Sequence, residues 1–227
     1  MTSATETKRT IRDWLACPDS ELIKRIRQGD INAYEGIMRR YNQRLYRIAR
    51  SILNNDAAAM DAMQDAYLKA FDQLETLQDI VALPVWLSRI VRNEALQQLR
   101  RNQRLVSMPH ELLEPVVELN SQMKSRLPPE SEVANQQLAA LLEQYIDKLP
   151  DTYRSVFVLR AVEHCSVRET AEVLDIPEAT VKTRYFRANA LLQRQLNVLL
   201  RESGLGIYEF AGHRCDAVVS RVLQSLT

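Results

Sequence analysis

The sequence predicts an all-α protein made of two helical modules joined by a flexible linker. Apolar residues recur at spacings of three and four almost throughout, as on amphipathic helices, and no stretch shows the alternation of a half-buried strand. The pattern breaks over residues 105–130, where Pro109, Pro115, Pro128 and Pro129 fall among scattered polar residues. Glycine is scarce, five in 227 residues, and Gly36, Gly204, Gly206 and Gly212 sit outside any phosphate-binding pattern. That argues against nucleotide-loop enzymes and against turn-rich β folds.

A first short helix is predicted over residues 19–27. A second carries the stripe Tyr34, Ile37, Met38, Tyr41, Leu45, Ile48 and Ile52, with Asp30 as its expected N-cap. Asp56 is the expected cap of a third, striped by Met60, Met63, Tyr67, Phe71 and Leu74. Pro84 suits the first turn of a fourth, which carries Trp86, Leu87, Ile90, Val91, Leu96 and Leu99 on one side. These helices form the first module, residues 1–104. The linker of 26 residues spans roughly 85 Å if fully extended. Helical spacing resumes at Val133, and Pro150-Asp151 starts a helix with Tyr153, Val156, Phe157 and Leu159; this second module covers residues 131–200. The tail, residues 201–227, holds one more amphipathic segment: Cys215, Val218, Val219, Val222, Leu223 and Leu226.

No apolar run approaches the roughly 20 residues of a membrane span, and the N-terminus lacks the apolar core of a signal peptide. Cys17, Cys165 and Cys215 are odd in number and far apart, which reads as reduced thiols. The expected location is therefore the cytoplasm, without direct membrane insertion. His164 beside Cys165, and His213 near Cys215, lack the CxxC or HxxxH spacing of a zinc site. No nucleophile–base pairing or carboxylate pair stands out. The expectation is a non-enzyme with no cofactor, no metal and no small-molecule substrate.

Net charge is +1, but the charge is unevenly spread. Residues 89–104 hold five arginines (Arg89, Arg92, Arg100, Arg101, Arg104) against Glu94, and residues 178–194 hold Lys182, Arg184, Arg187 and Arg194 against one acid. The stretch between, residues 106–130, has four acids and two cations. Two basic helices on separate bodies suit two nucleic-acid-facing surfaces; the plainer reading is two solvated helix faces.

Residues 166–192 favour DNA over an ordinary helical hairpin with a solvated basic face. Ser166-Val167-Arg168-Glu169 is a capping box, serine at the cap and glutamate three residues on. Val167, Thr170, Ala171, Val173 and Leu174 follow on the first helix, then the turn Asp175-Ile176-Pro177, then a helix from Glu178. Asp175 stands where such a turn wants a positive φ. With Val181, Tyr185, Ala188, Leu191 and Leu192 inward, Thr180, Lys182, Thr183, Arg184 and Arg187 are expected to face out. Small hydroxyl and basic residues at a helix start suit a major groove. In the first module's basic helix Trp86 reads as core over a base-stacking role, and the arginines as phosphate-trackers.

The chain resembles an RNA polymerase sigma factor of the extracytoplasmic-function type, in the sigma-70 family. The N-terminal likeness covers residues 20–104 and rests on Leu22-Ile23-Lys24-Arg25-Ile26-Arg27-Gln28-Gly29-Asp30, Asp61-Ala62-Met63-Gln64-Asp65-Ala66-Tyr67, and Trp86-Leu87-Ser88-Arg89-Ile90-Val91-Arg92-Asn93-Glu94-Ala95-Leu96. The C-terminal likeness covers residues 138–196 and rests on Leu149-Pro150-Asp151-Thr152-Tyr153-Arg154 and Thr180-Val181-Lys182-Thr183-Arg184-Tyr185-Phe186-Arg187-Ala188. The first module would be sigma region two. The resemblance implies docking on the β′ clamp through Asp61, Gln64 and Asp65. It implies promoter −10 contact through the loop at residues 76–83 and the helix bearing Trp86, Arg89, Arg92, Asn93, Arg100 and Arg101. The second module would be region four, reading the −35 element through Thr180, Lys182, Thr183, Arg184 and Arg187, with its outer face on the β flap. Departures from the family pattern are Phe71 for a common Trp, His164-Cys165-Ser166 for Gly-Leu-Ser, Asp175 and Ala179 for Gly, and Asn189 for a basic residue.

The resemblance implies core polymerase, promoter DNA and an anti-sigma factor as partners, with the modules able to close on one another when polymerase is absent. Two rival readings stand beside it. A one-component helix-turn-helix regulator would bind DNA alone, as a dimer, and the Asp61–Gln64–Asp65 pattern speaks against it. A helical adaptor without DNA recognition is opposed by the outward face around Thr180 and Arg187.

Overall fold

The structure, a computed structural model, describes residue 14, residues 16–106 and 130–202, and residue 221. Residues 107–129 of the expected linker, and the tail's amphipathic segment apart from Arg221, lie outside the described residues.

Helix α1 (Asp19–Arg27) buries Leu22, Ile23 and Ile26. It turns through Gly29, at φ +93°, into α2 (Asn32–Leu53). A Cβ on Gly36 of α2 would stand 3.1 Å from the Leu22 side chain and 3.2 Å from Trp14 Cβ, so glycine lets the two segments touch. Helix α3 (Asp56–Asp72) follows, then 3-10 turns at Leu74–Thr76 and Ile80–Ala82, then α4 (Leu83–Val106) with Pro84 in its first turn. Helices α2, α3 and α4 pack mutually, burying Ile37, Leu45 and Ile48 of α2 and Leu83, Leu87 and Val91 of α4. Tyr34 and Tyr67 meet edge-on, the first donating to the Tyr67 carbonyl at 2.7 Å, the second to the Met38 carbonyl at 3.0 Å.

Two expected caps are corrected. The residue preceding α2 is Ile31, without a side-chain cap, and the Asp30 carboxylate faces Arg25 instead. Asn55, not Asp56, caps α3 by accepting from the Ala58 N–H at 2.9 Å. Asp56 stands one residue inside, accepting from Tyr46 and Arg50, and those bonds hold its carboxyl below the usual range. The stripe of α3 is corrected too. The inward face is Ala59, Ala62, Ala66 and Ala70, while Met60 and Phe71 are exposed and Met63 half-buried; Tyr67 and Leu74 are buried as expected. Alanine side chains allow close helix approach yet weigh little in a hydrophobic pattern, so the bulkier neighbouring stripe stood out.

The second module comprises α5 (Glu130–Asp147), α6 (Asp151–Phe157), a π-helical turn (Val158–Val162), α7 (Val167–Leu174) and α8 (Glu178–Glu202). Leu149, Val156, Leu159, Val173, Val181 and Ala188 are among its buried apolar residues. Phe157 stacks on Tyr185, with ring centroids 6.3 Å apart. The two modules are not separate bodies here. Helix α4 packs on α7 and α2 packs on α6, so the apolar cores merge into one unit reaching Ala190; residues 191–227 form a second unit.

Candidate polymerase and promoter interfaces

The Asn55 cap and the alanine face fix the rotation of α3, which leaves Asp61, Gln64 and Asp65 exposed. Beside them runs a groove of about 840 Å³ between α2 and α3. Ile31, Met38, Met60, Met63, Leu68 and Phe71 line it with the rings of Tyr34 and Tyr67, and Gln64 stands on its wall. Ile31, Met60 and Leu68 are 67%, 58% and 61% exposed, so this apolar surface is open to solvent. It is the size and character of surface that takes a partner helix.

In α4, Arg89, Asn93, Arg100 and Arg101 are exposed and Trp86 is half-buried against the core. At about 100° per residue, Arg89, Asn93 and Arg100 fall within about 40° of arc, a single row along the helix. Arg92 lies off that row, half-buried, and donates to the Leu174 carbonyl at 2.8 Å and to Asn93 at 2.9 Å. Desolvation pulls its guanidinium pKa down from the ordinary value. In the loop before α4, Asp79 accepts from the Val81 N–H at 2.9 Å, and Val81 is 87% exposed.

The helix-turn-helix forms as the sequence predicts. The Ser166 hydroxyl accepts from the Glu169 N–H at 3.1 Å, and the Glu169 carboxylate accepts from the Ser166 N–H at 2.7 Å. Asp175 closes α7 in the left-handed region, φ 52°, ψ 52°. On α8, Lys182, Thr183 and Arg187 are exposed and Thr180 is half-buried. Arg184 departs from its expected outward place: it is half-buried in a cleft with Arg92, Leu96 and Leu99 of α4. The helical wheel gives the reason, since Arg184 lies only about 60° from the inward Val181. The outward centre of the wheel holds Thr183 and Phe186, and Phe186 is 73% exposed. The Thr183 hydroxyl donates back to the Ala179 carbonyl at 2.9 Å.

Residues 37–105 match the model for sigma-70 region 2, and residues 139–192 match that for sigma-70 region 4. The ECF RNA polymerase sigma factor SigW of Bacillus subtilis is 30% identical over 179 residues, covering 78% of this chain and 96% of that protein. The chain belongs to the extracytoplasmic-function class of the sigma-70 family of RNA polymerase sigma factors. SigM of Mycobacterium tuberculosis is 32% identical over 181 residues, 80% of this sigma factor and 86% of its relative. Two solved structures share the fold. CnrH, in complex with the cytosolic domain of CnrY, has TM-score 0.54 at 24% identity, over 79% of this chain and 97% of that one. RpoE of Bartonella quintana, in complex with the anti-sigma factor NepR, has TM-score 0.57 at 21% identity, over 74% and 99%.

In this sigma factor, Asp61, Gln64 and Asp65 share one exposed helix surface. Arg89, Asn93 and Arg100 share another, and Lys182, Thr183 and Arg187 a third. Arg92 and Arg184 are turned instead toward the contact between modules. Sequence reasoning missed the apolar groove and Phe186. The signal for the groove was present in Met60, Leu68 and Phe71, once the alanines take the inward face. Cys165 is buried, receives an Arg44 N–H at 3.3 Å and has its thiol pKa raised by burial, a packing environment.

Proposed function

We propose that this chain carries core polymerase on α3 and promoter DNA on α4 and α8. Asp61, Gln64 and Asp65 take the β′ clamp, with the groove beside them receiving apolar side chains of the clamp helix. Trp86, Arg89, Asn93, Arg100 and Arg101, with the loop before α4, track and open the −10 element. Lys182, Thr183, Phe186 and Arg187 read the −35 element, assisted by Thr180; once the modules part, Arg92 joins the −10 surface and Arg184 the −35 surface. The exposed Leu138 and Leu142 of α5 offer an apolar face to the β flap. The chain contributes recognition and strand opening, and bond formation belongs to the core enzyme.

The observation that carries this reading is the acid–amide row of α3 beside an uncovered apolar groove, on a protein that also presents two basic helices. An anti-sigma protein is the expected silencer, and the groove is a surface it would need to cover. The chain works in the cytoplasm, with the polymerase; among the described residues no helix is long and apolar enough to cross a membrane.

The test is co-elution with core polymerase. The chain should bind core, and the double variant Asp61→Lys, Asp65→Lys should bind at least tenfold more weakly while keeping its helicity, since exposed charge changes disturb folds little. Undiminished binding by the double variant removes these residues from the interface.

A further inference from the structure

We propose that Arg27 is a positioning residue for −10 recognition: from the end of α1 it holds the loop between α3 and α4 in the pose that presents Val81 to the promoter. The loop has little regular structure of its own. Its 3-10 turns, Leu74–Thr76 and Ile80–Ala82, are three residues each, and Leu77 between them is extended, at φ −73° and ψ 105°. Such a segment leaves carbonyls without a helical donor, and a buried carbonyl must find one elsewhere. Leu74 and Leu77 are each 4% exposed.

Arg27 supplies that donor. It is the last residue of α1, and its Nη2 donates to the Leu74 carbonyl at 3.0 Å and to the Leu77 carbonyl at 2.7 Å. Hydrogen bonds from an ionised donor are the stronger kind, and one nitrogen shared by two carbonyls fixes their separation. The Arg27 Nε also stands 3.6 Å from the Glu75 carboxylate, whose side chain is 75% exposed, so this pair adds little.

The start of the loop is thus tied to α1, and its far end ties itself. The Asp79 carboxylate accepts from the Val81 N–H at 2.9 Å, the Asp79 carbonyl accepts from the Ala82 N–H at 3.1 Å, and Ile80 packs on the core. Val81 stands out at this end, just before the helix that bears Trp86 and Arg89. Ordering a loose loop on binding costs affinity, so an exposed aliphatic tip contacts DNA best when its backbone is already held. Arg27 belongs to neither basic helix, and its effect reaches DNA through the loop. This role rests on the reading of the loop as a −10 contact; the anchor itself does not.

The test uses the full chain with core polymerase and two variants of Arg27. Arg27→Met keeps the apolar stem and removes the donors, while Arg27→Lys returns a cation whose one nitrogen can meet both carbonyls. Hydrogen exchange of the Leu77 and Ala82 amides reads the loop, and transcription from libraries scrambled over the −10 or the −35 element reads recognition. In Arg27→Met the Leu77 amide, bonded to the Leu74 carbonyl at 3.2 Å, should exchange about tenfold faster. Preference over the −10 element should fall about fivefold. The −35 preference and core affinity should stay within about twofold of wild type. Arg27→Lys should recover most of both losses. Unchanged exchange in Arg27→Met overturns the anchor. Equal loss of −10 preference, −35 preference and core affinity overturns the positioning role, because an unsettled fold would do the same. Val81→Ala separates the remaining cases. If it loses −10 preference while a loosened Arg27→Met keeps it, the loop reads DNA without Arg27 and the positioning role falls. If both keep it, the −10 reading of the loop is contradicted.

Discussion

Ser166 and Glu169 hold each other at the start of α7, each accepting the other's backbone N–H, at 3.1 and 2.7 Å. This exchange satisfies two donors that a helix start leaves orphaned, and so fixes the entry of the helix-turn-helix.

Replacing Ser166 with alanine should lower stability by about 1 kcal/mol, measured by urea unfolding. Glu169 adds a pH dependence. The Ser166 backbone N–H, then its hydroxyl, hold the Glu169 carboxyl below its ordinary 4.5. A folded value below the unfolded one stabilises fully above the ordinary range, and the gain is lost as pH falls through the folded value. The melting-temperature gap between wild type and Glu169→Ala should therefore shrink on acidification from pH 7 to pH 3. A constant gap contradicts the assignment.

His164 sits at φ 53° with an exposed side chain. A left-handed backbone costs a non-glycine residue roughly 1–2 kcal/mol, while glycine gives back part of that gain in unfolded-chain entropy. His164→Gly should stabilise the chain by about 0.5–1 kcal/mol. Unfolding of the variant at equal or lower urea would show that the imidazole offsets the strain.

The outer face of α8 predicts three distinguishable losses. Arg187→Ala should cost roughly 1–3 kcal/mol of promoter preference and relax one base position of the −35 element. Lys182→Ala should weaken all promoters alike and lower the salt dependence by about one unit. Phe186→Ala should lose preference at a thymine, whose methyl an exposed aromatic can cover. Transcription from a library scrambled over the −35 element reads all three. Wild-type preference in every variant would take α8 off the DNA.

The helices and the helix-turn-helix were legible because their signals are local. The capping box, the Asp175 turn and Pro150-Asp151 depend on neighbouring residues and appear where the sequence puts them. The caps of α2 and α3 were misread because several polar residues cluster at each start, and only the backbone decides which oxygen faces the free N–H groups. The α3 groove was hidden because its inward face is alanine. Closure of the modules is what the resemblance implies, but the α2 arginines that meet the second module were not legible, since each finds its partner across about a hundred residues. Arg184 lies beside the inward arc of α8, about 60° from Val181, and α4 supplies the other wall of the cleft it lines.

Run-off transcription tests the central claim most directly. Core polymerase and templates bearing candidate promoters are incubated with and without this chain. A transcript of defined length should appear only when core and chain are both present. It should weaken when Asp61 and Asp65 are changed to lysine, and vanish when the −35 element is scrambled. Equal transcription without the chain, or tight dimeric binding of the chain alone to a two-fold DNA site with no stimulation of core, would contradict the account.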